Sequence, residues 1–155
     1  VYYEHVNYFR IKDFKKIFKS IKSIGHVFND QYIYVVADLG EINIPKFESG
    51  DDSLLLPQLD VERFANQAID IVWGAGSKGV IFSMLLSRHG IKPKYIVDIN
   101  PNKINKFAPI TGLKIISPSQ CLQYVKAEAN IFIMNKNYEK EIRDMTNNIY
   151  SYHLV

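Results

Sequence analysis

The chain has 155 residues, 47% of them hydrophobic and 23% charged, with 19 Lys+Arg against 16 Asp+Glu for a formal charge of +3. These values exclude a fibre or a disordered tail, and they fit one ordinary domain, or a domain with a small appendage, able to bury its own core. The weak charge, and cations that are mostly Lys with few Arg, argue against nucleic acid as a partner.

The first ten residues, VYYEHVNYFR, are rich in aromatics and lack a clear period. Ile11, Phe14, Ile17, Phe18, Ile21 and Ile24 fall on one helical face, with Lys12, Lys15, Lys16, Lys19 and Lys22 elsewhere. The pattern predicts a helix capped by Asp13 and ended by Gly25 in a left-handed turn. HVF and QYIYVVAD, on either side of Asn29-Asp30, predict a hairpin. Residues 43–60, with Pro45, Ser49-Gly50-Asp51-Asp52 and Pro57, read as a connection, and a short helix is expected near Asp60 with Val61, Phe64 and Ala68 on one face.

From Ile69 onward the pattern changes to strands alternating with helices. IDIVW is a short buried strand that runs directly into Gly74-Ala75-Gly76-Ser77-Lys78-Gly79. An apolar helix, VIFSMLL, follows and stops at His89-Gly90. Further strands are expected at 95–98, 113–116 and 131–134, and YHLV at the end is a candidate for a fifth. Ser117-Pro118-Ser119-Gln120 combines a capping Ser, a Pro at the first helical position and a Gln three residues after the cap, which is a helix start. A helix over 138–149 would carry Tyr138, Ile142, Met145 and Ile149 on one side. This order predicts an α/β fold: a Rossmann-like, mostly parallel sheet with helices on both faces, preceded by a small α+β segment. The expected organisation is an N-terminal helix and hairpin segment over 1–60 and the Rossmann-like domain over 61–155.

Gly74, Gly76 and Gly79 match the G-x-G-x-x-G spacing at a strand-to-helix turn. The first glycine permits the turn, the second lets backbone approach a ligand, and the third lets helix and strand pack closely. A helix N-terminus offers N–H groups and a positive dipole end to an anion such as a pyrophosphate. Ser77 would add a hydroxyl and Lys78 a charge. Asp98 ends the next strand, where a dinucleotide fold places its ribose-binding acid; a cap or turn role ahead of Asn100-Pro101-Asn102 explains it equally. Read from the residues alone, the loop points to NAD, with a purely geometric βα turn as the other reading.

Glu4 and His5 stand side by side among Tyr2, Tyr3, Tyr8 and Phe9. An imidazole with an ordinary pKa near 6.5 serves as a base at working pH, and a carboxylate beside it fixes its tautomer. Taken alone, the pair reads first as a surface Glu-His, a common arrangement. His26, His89 and His153 read as surface or turn residues. They form no metal-ligand spacing, and no metal site is expected. The single Cys121 excludes an internal disulfide and fits a reducing cytoplasm. No apolar run reaches transmembrane length and no signal peptide is evident, so no membrane contact is expected.

With these residues in view, the sequence resembles the C-terminal domain of the S-adenosylmethionine-dependent nucleotide-sugar C-methyltransferases. VYYEHVNYF is similar to the family's tyrosine, Glu-His and Tyr-Phe segment. IVWGAGSKGVIF with YIVDINPNK is similar to its W-G-A-G-x-K-G loop and D-x-N-P-x-K strand end. GLKIISPSQ with IFIMNKNYEKEI is similar to its closing S-P step and N-x-N-Y-x-x-E-I element. The likeness covers residues 1–10 and about 69–143. Tyr3 stands where the family often has His, and Arg10 where it often has Ser.

The resemblance implies a nucleoside-diphosphate 4-keto-deoxysugar as partner, with its pyrophosphate on Gly74, Gly76, Ser77, Lys78 and Gly79, and Asp98 in the same substrate site. It implies that His5 removes the proton beside the ketone, that Glu4 supports it, and that Tyr2 steadies the enolate oxygen before the enolate attacks the donor's methyl group. A zinc-bearing segment and an S-adenosylmethionine domain of the same polypeptide would precede this chain. The chain begins at Val1 and reads as a piece of such a protein, with no cofactor of its own and no methyltransferase activity alone. A nicotinamide-binding oxidoreductase domain and a noncatalytic structural domain are the alternatives.

Overall fold

The computed structural model describes residues 9–46, 61–64 and 66–155. The chain divides into two units, Tyr3–Pro57 and Gln58–Val155.

In the first unit a helix α1 (Ile11–Ile17) precedes two antiparallel strands, β1 (Ile21–Val27) and β2 (Tyr32–Ala37). Arg10 is the cap residue of α1. Its N–H donates to Asp13 Oδ2 at 2.7 Å, and its guanidinium grips the same carboxylate at 3.0 and 2.8 Å. These hydrogen bonds hold the Asp13 carboxyl below its ordinary range. Asp13 thus caps the helix from its third position, and Arg10 has a local structural partner.

The helix is shorter than its sequence period predicts. Phe18 is already extended and bridges Ile42, and Ile21 and Ile24 belong to β1. Gly25 does not end a helix: it lies mid-strand opposite Tyr34. β-branched residues favour extended chain once a partner is present, and 32–37 supplies one. The expected hairpin is present, with Phe28, Asn29 and Asp30 all at positive φ in the turn.

The second unit begins with a single 3₁₀ turn over Glu62–Phe64 in place of the expected helix. Val61 and Phe64 are buried, as their spacing predicts, whereas Ala68 is exposed. Five strands follow: β3 (Ile71–Trp73), β4 (Tyr95–Val97), β5 (Ile115–Ile116), β6 (Asn130–Ile133) and β7 (Ser151–Leu154). They form one parallel sheet in the order β5-β4-β3-β6-β7. Helix α2 (Ser77–Arg88) leaves β3; α3 (Pro118–Tyr124) precedes β6, and α4 (Glu139–Met145) precedes β7.

Alternation along the strands feeds two cores. Val72, Ile96 and Phe132 pack with Phe82 and Leu86 of α2 and with Phe64 on one face. Ile71, Trp73, Val97, Ile131 and Ile133 pack with Cys121 and Ile142 on the other. A sheet buried on both faces needs apolar residues at consecutive positions, which is why these strands read as continuous apolar runs. The α/β Rossmann-like fold, with helices on both faces, is therefore as expected.

Local signals placed the helix ends well in α2 and α3. His89 caps α2 and Gly90 follows at φ +76°. Ser117 Oγ accepts from Gln120 N–H at 3.1 Å, and Gln120 Oε1 accepts from Ser117 N–H at 2.9 Å. The last helix is shorter than its period predicts. A 3₁₀ turn over Lys136–Tyr138 leads into α4, and Asn147 and Asn148 at positive φ stop it. Of the residues expected on one side of it, only Ile142 is fully buried; Tyr138 and Ile149 are exposed. His153, expected at the surface or in a turn, is a half-buried strand residue. It lies in β7, stacked on Phe132 with ring centroids 4.7 Å apart, and hydrogen-bonds Asn130 Oδ1 at 3.0 Å.

Asp70 ties the starts of three strands together. Its carboxylate accepts from Lys94 Nζ at 2.8 Å and from Asn130 N–H at 3.1 Å, and its carbonyl accepts from Lys94 N–H at 2.8 Å. The hydrogen bond from Lys94 lowers its pKa below the ordinary 3.8, outweighing burial. A carboxyl with a lowered folded-state pKa contributes stability that is whole above 3.8 and drains as pH falls through the folded value. In urea unfolding at pH 5 to 3, Asp70→Asn is expected to flatten this acid loss and, at pH 7, to cost about 1–3 kcal/mol. An unchanged acid limb would remove Asp70 from the account.

Candidate functional site

In open α/β sheets ligands bind beyond the carboxyl ends of the strands, where the chain order reverses. Here that point lies at β3, whose neighbours β4 and β6 lead the chain to opposite edges of the sheet. The glycine loop stands at this point.

Gly74 makes the turn at φ +114°, a backbone setting that favours glycine. Gly76 is the cap residue of α2, extended at φ −82°, ψ −177°, with no side chain to satisfy the helix's first N–H groups. It is exposed, and a Cβ added there would meet nothing within 4 Å. Gly79 is buried, and a Cβ there would stand 1.8 Å from the Gly74 carbonyl oxygen. The three glycines thus divide into one that turns, one that leaves the helix head open, and one that lets helix and strand touch.

Asp98 follows β4 and faces the loop. Its Oδ2 accepts from Ala75 N–H at 2.7 Å, and its Oδ1 accepts from Asn100 N–H at 2.8 Å in the turn. Lys103 joins this cluster: its Nζ donates to the Ala75 carbonyl at 3.0 Å and lies 3.6 Å from Asp98 Oδ2. Both carboxylate oxygens are therefore engaged within the protein.

Lys78, expected to offer its charge to an anion, turns elsewhere. Its Nζ donates to the carbonyls of Met134 and Val155, at the carboxyl ends of β6 and β7. Burial lowers its pKa, and the positive charge of Arg63 adds to the effect. Arg63 itself lies over the Phe64 ring, 4.4 Å from its centroid. Asn100 and Asn135 both serve turns: each side-chain oxygen accepts the N–H two residues on.

Gly74, Gly76, Ser77, Lys78, Gly79 and Asp98 thus lie together around one loop. Tyr2, Glu4 and His5 lie outside the described residues. Lys103 and Arg63 are the residues that reading the sequence did not assign to this place. The signal for Lys103 was present, because a turn after Asp98 brings a Lys five positions on back toward the same carboxylate.

The family model for the C-methyltransferase C-terminal domain matches residues 55–153. The chain belongs to that family. None of the curated proteins compared with the chain matches it. The match takes in the whole glycine loop, Asp98 and Lys103 of this C-methyltransferase C-terminal domain, and it starts after the Glu4-His5 pair.

Among the described residues, no group of three or more His, Cys, Asp or Glu side chains is placed to hold a metal ion, and no helix is long and apolar enough to cross a membrane. Cys121 is buried, and burial pushes its thiol up to about 11, outweighing the hydrogen bond with Tyr150, so the thiolate form is disfavoured.

Proposed function

We propose that this domain binds the acceptor of a C-methyltransferase, a nucleoside-diphosphate 4-keto-deoxysugar, and supplies the base that turns it into an enolate. The observation that carries the reading is the open head of α2: an exposed Gly76 cap, no side-chain cap, and a location at the reversal point of the sheet. N–H groups so arranged suit a diphosphate. The substrate contacts would come from Gly74, Gly76, Ser77 and Gly79, with Lys78 shaping the loop from its inner side.

The base is His5. Carbon next to a ketone is acidified because the charge of its conjugate base spreads onto oxygen. A neutral imidazole there accepts the proton, Glu4 stabilises the imidazolium that forms, and Tyr2 donates to the enolate oxygen.

The methyl donor of the reading is S-adenosylmethionine, which supplies an electrophilic methyl group when bound. The open head of α2 suits a diphosphate better. S-adenosylmethionine carries no diphosphate, and Asp98, placed where a ribose-binding acid would stand, has both oxygens engaged. The donor is therefore assigned to an upstream domain of the same polypeptide, and the contribution of this chain ends at the enolate. A nucleotide-activated substrate and a buried, reduced Cys121 fit the cytoplasm.

Titration of the chain with thymidine- and uridine-diphosphate sugars and with NADH tests the reading. A nucleotide sugar is expected to bind at least about tenfold more tightly than NADH. The opposite order would replace this function with that of a nicotinamide-binding domain, and no binding of any of them would leave a structural domain.

A further inference from the structure

We infer that Lys103, held by Asp98, is a positioning residue that aims the Gly76 N–H at the acceptor's diphosphate. The inference rests on the nucleotide-sugar reading.

The loop is built from glycines, so its peptide planes are free to rotate unless something outside holds them. Two ties do so here. Asp98 Oδ2 takes the N–H of Ala75 at 2.7 Å, and Lys103 Nζ takes its carbonyl at 3.0 Å. Together they hold the two peptide planes on either side of the Ala75 Cα. The second plane carries the Gly76 N–H. All described peptides are trans, so a carbonyl turned toward Lys103 sends the Gly76 N–H the opposite way.

Gly76 is exposed, and among the described residues no acceptor takes its N–H. The Asp98–Lys103 pair lies 3.6 Å apart, and the Asp98 side chain is only 12% exposed, so the pair is anchored at its inner end. A donor aimed before the ligand arrives spares the ordering cost that a free glycine loop would pay on binding. In this arrangement the acid that follows β4 organises the loop, and Lys103 gives it its direction.

The test uses the whole chain with thymidine diphosphate and uridine diphosphate as probes, alongside amide hydrogen exchange at Ala75. Lys103→Met is expected to weaken binding of the better probe by about tenfold, and Lys103→Arg to recover most of the loss. Asp98→Asn is expected to speed exchange at Ala75 by about tenfold while the core amides of Val72 and Ile131 keep their rates, which a general loss of stability would not allow.

A Lys103→Met chain that binds the probe as the parent does overturns the inference and leaves the nucleotide-sugar reading standing. Weakened binding of Asp98→Asn without a change at Ala75 would make the pair a direct ligand contact and also overturn it. A parent chain that binds neither probe overturns the nucleotide-sugar reading itself, and with it the ligand at which Gly76 is aimed.

Discussion

On the proposed reading, His5→Gln in a protein that joins this chain to the proposed donor-binding domain is expected to lower methyl transfer by ~10²–10⁴-fold while the nucleotide sugar still binds. Glutamine keeps the bulk and hydrogen-bonding capacity of the side chain and loses only the proton acceptor, so the loss belongs to the proton transfer. On the proposed reading Glu4 supports the imidazole without touching the substrate, so Glu4→Gln is expected to lower methyl transfer less than His5→Gln does while the nucleotide sugar still binds. The measurements are single-turnover methyl transfer and exchange of the sugar's acidic proton with deuterated water. Undiminished exchange in His5→Gln would take His5 out of the mechanism.

The second large effect separates two glycines that look alike in the motif. Gly79→Ala is expected to destabilise the domain by about 3 kcal/mol, because its Cβ would meet the Gly74 carbonyl oxygen at 1.8 Å. That atom is backbone, and it belongs to a residue already confined to φ +114°, where a further shift costs more. The thermal midpoint should drop by roughly 10 °C.

Gly76→Ala meets nothing within 4 Å and keeps an ordinary φ of −82°, so its stability should stay within about 0.5 kcal/mol of the parent. On the proposed reading its methyl group would stand where a diphosphate approaches, and thymidine diphosphate affinity should fall about tenfold. A stable Gly79→Ala with an unstable Gly76→Ala would reverse the assignment of these two positions. Unaltered affinity in Gly76→Ala would remove the diphosphate from the head of α2.

The mismatches between sequence reading and structure share a cause. The heptad-like spacing of Ile11 through Ile24 is compatible with a helix, but it is equally compatible with a helix followed by a strand. What decides is the pairing of 21–27 with 32–37 and of Phe18 with Ile42, contacts that no period records. The stop of α4 at Met145 was similarly hidden, since Asn147-Asn148 in the left-handed region overrides the apolar spacing of Met145 and Ile149. The strand position of His153 is likewise hidden from a surface-or-turn reading, because its partner, Phe132, lies on another strand.

By itself the sequence determined the βα order of the second unit, the capping box at Ser117, the turn at Gly74 and the close approach at Gly79. Each depends on residues a few positions apart, or on the steric permission of a single glycine, and such short-range constraints are written into local composition. Only the tertiary structure decided where the charged groups spend their hydrogen bonds. Asp98 reaches Ala75 across 23 positions, Lys103 reaches it across 28, and Lys78 reaches Met134 across 56. A long polar side chain at a sheet's carboxyl end has several acceptors in range, and burial of the neighbouring backbone selects among them.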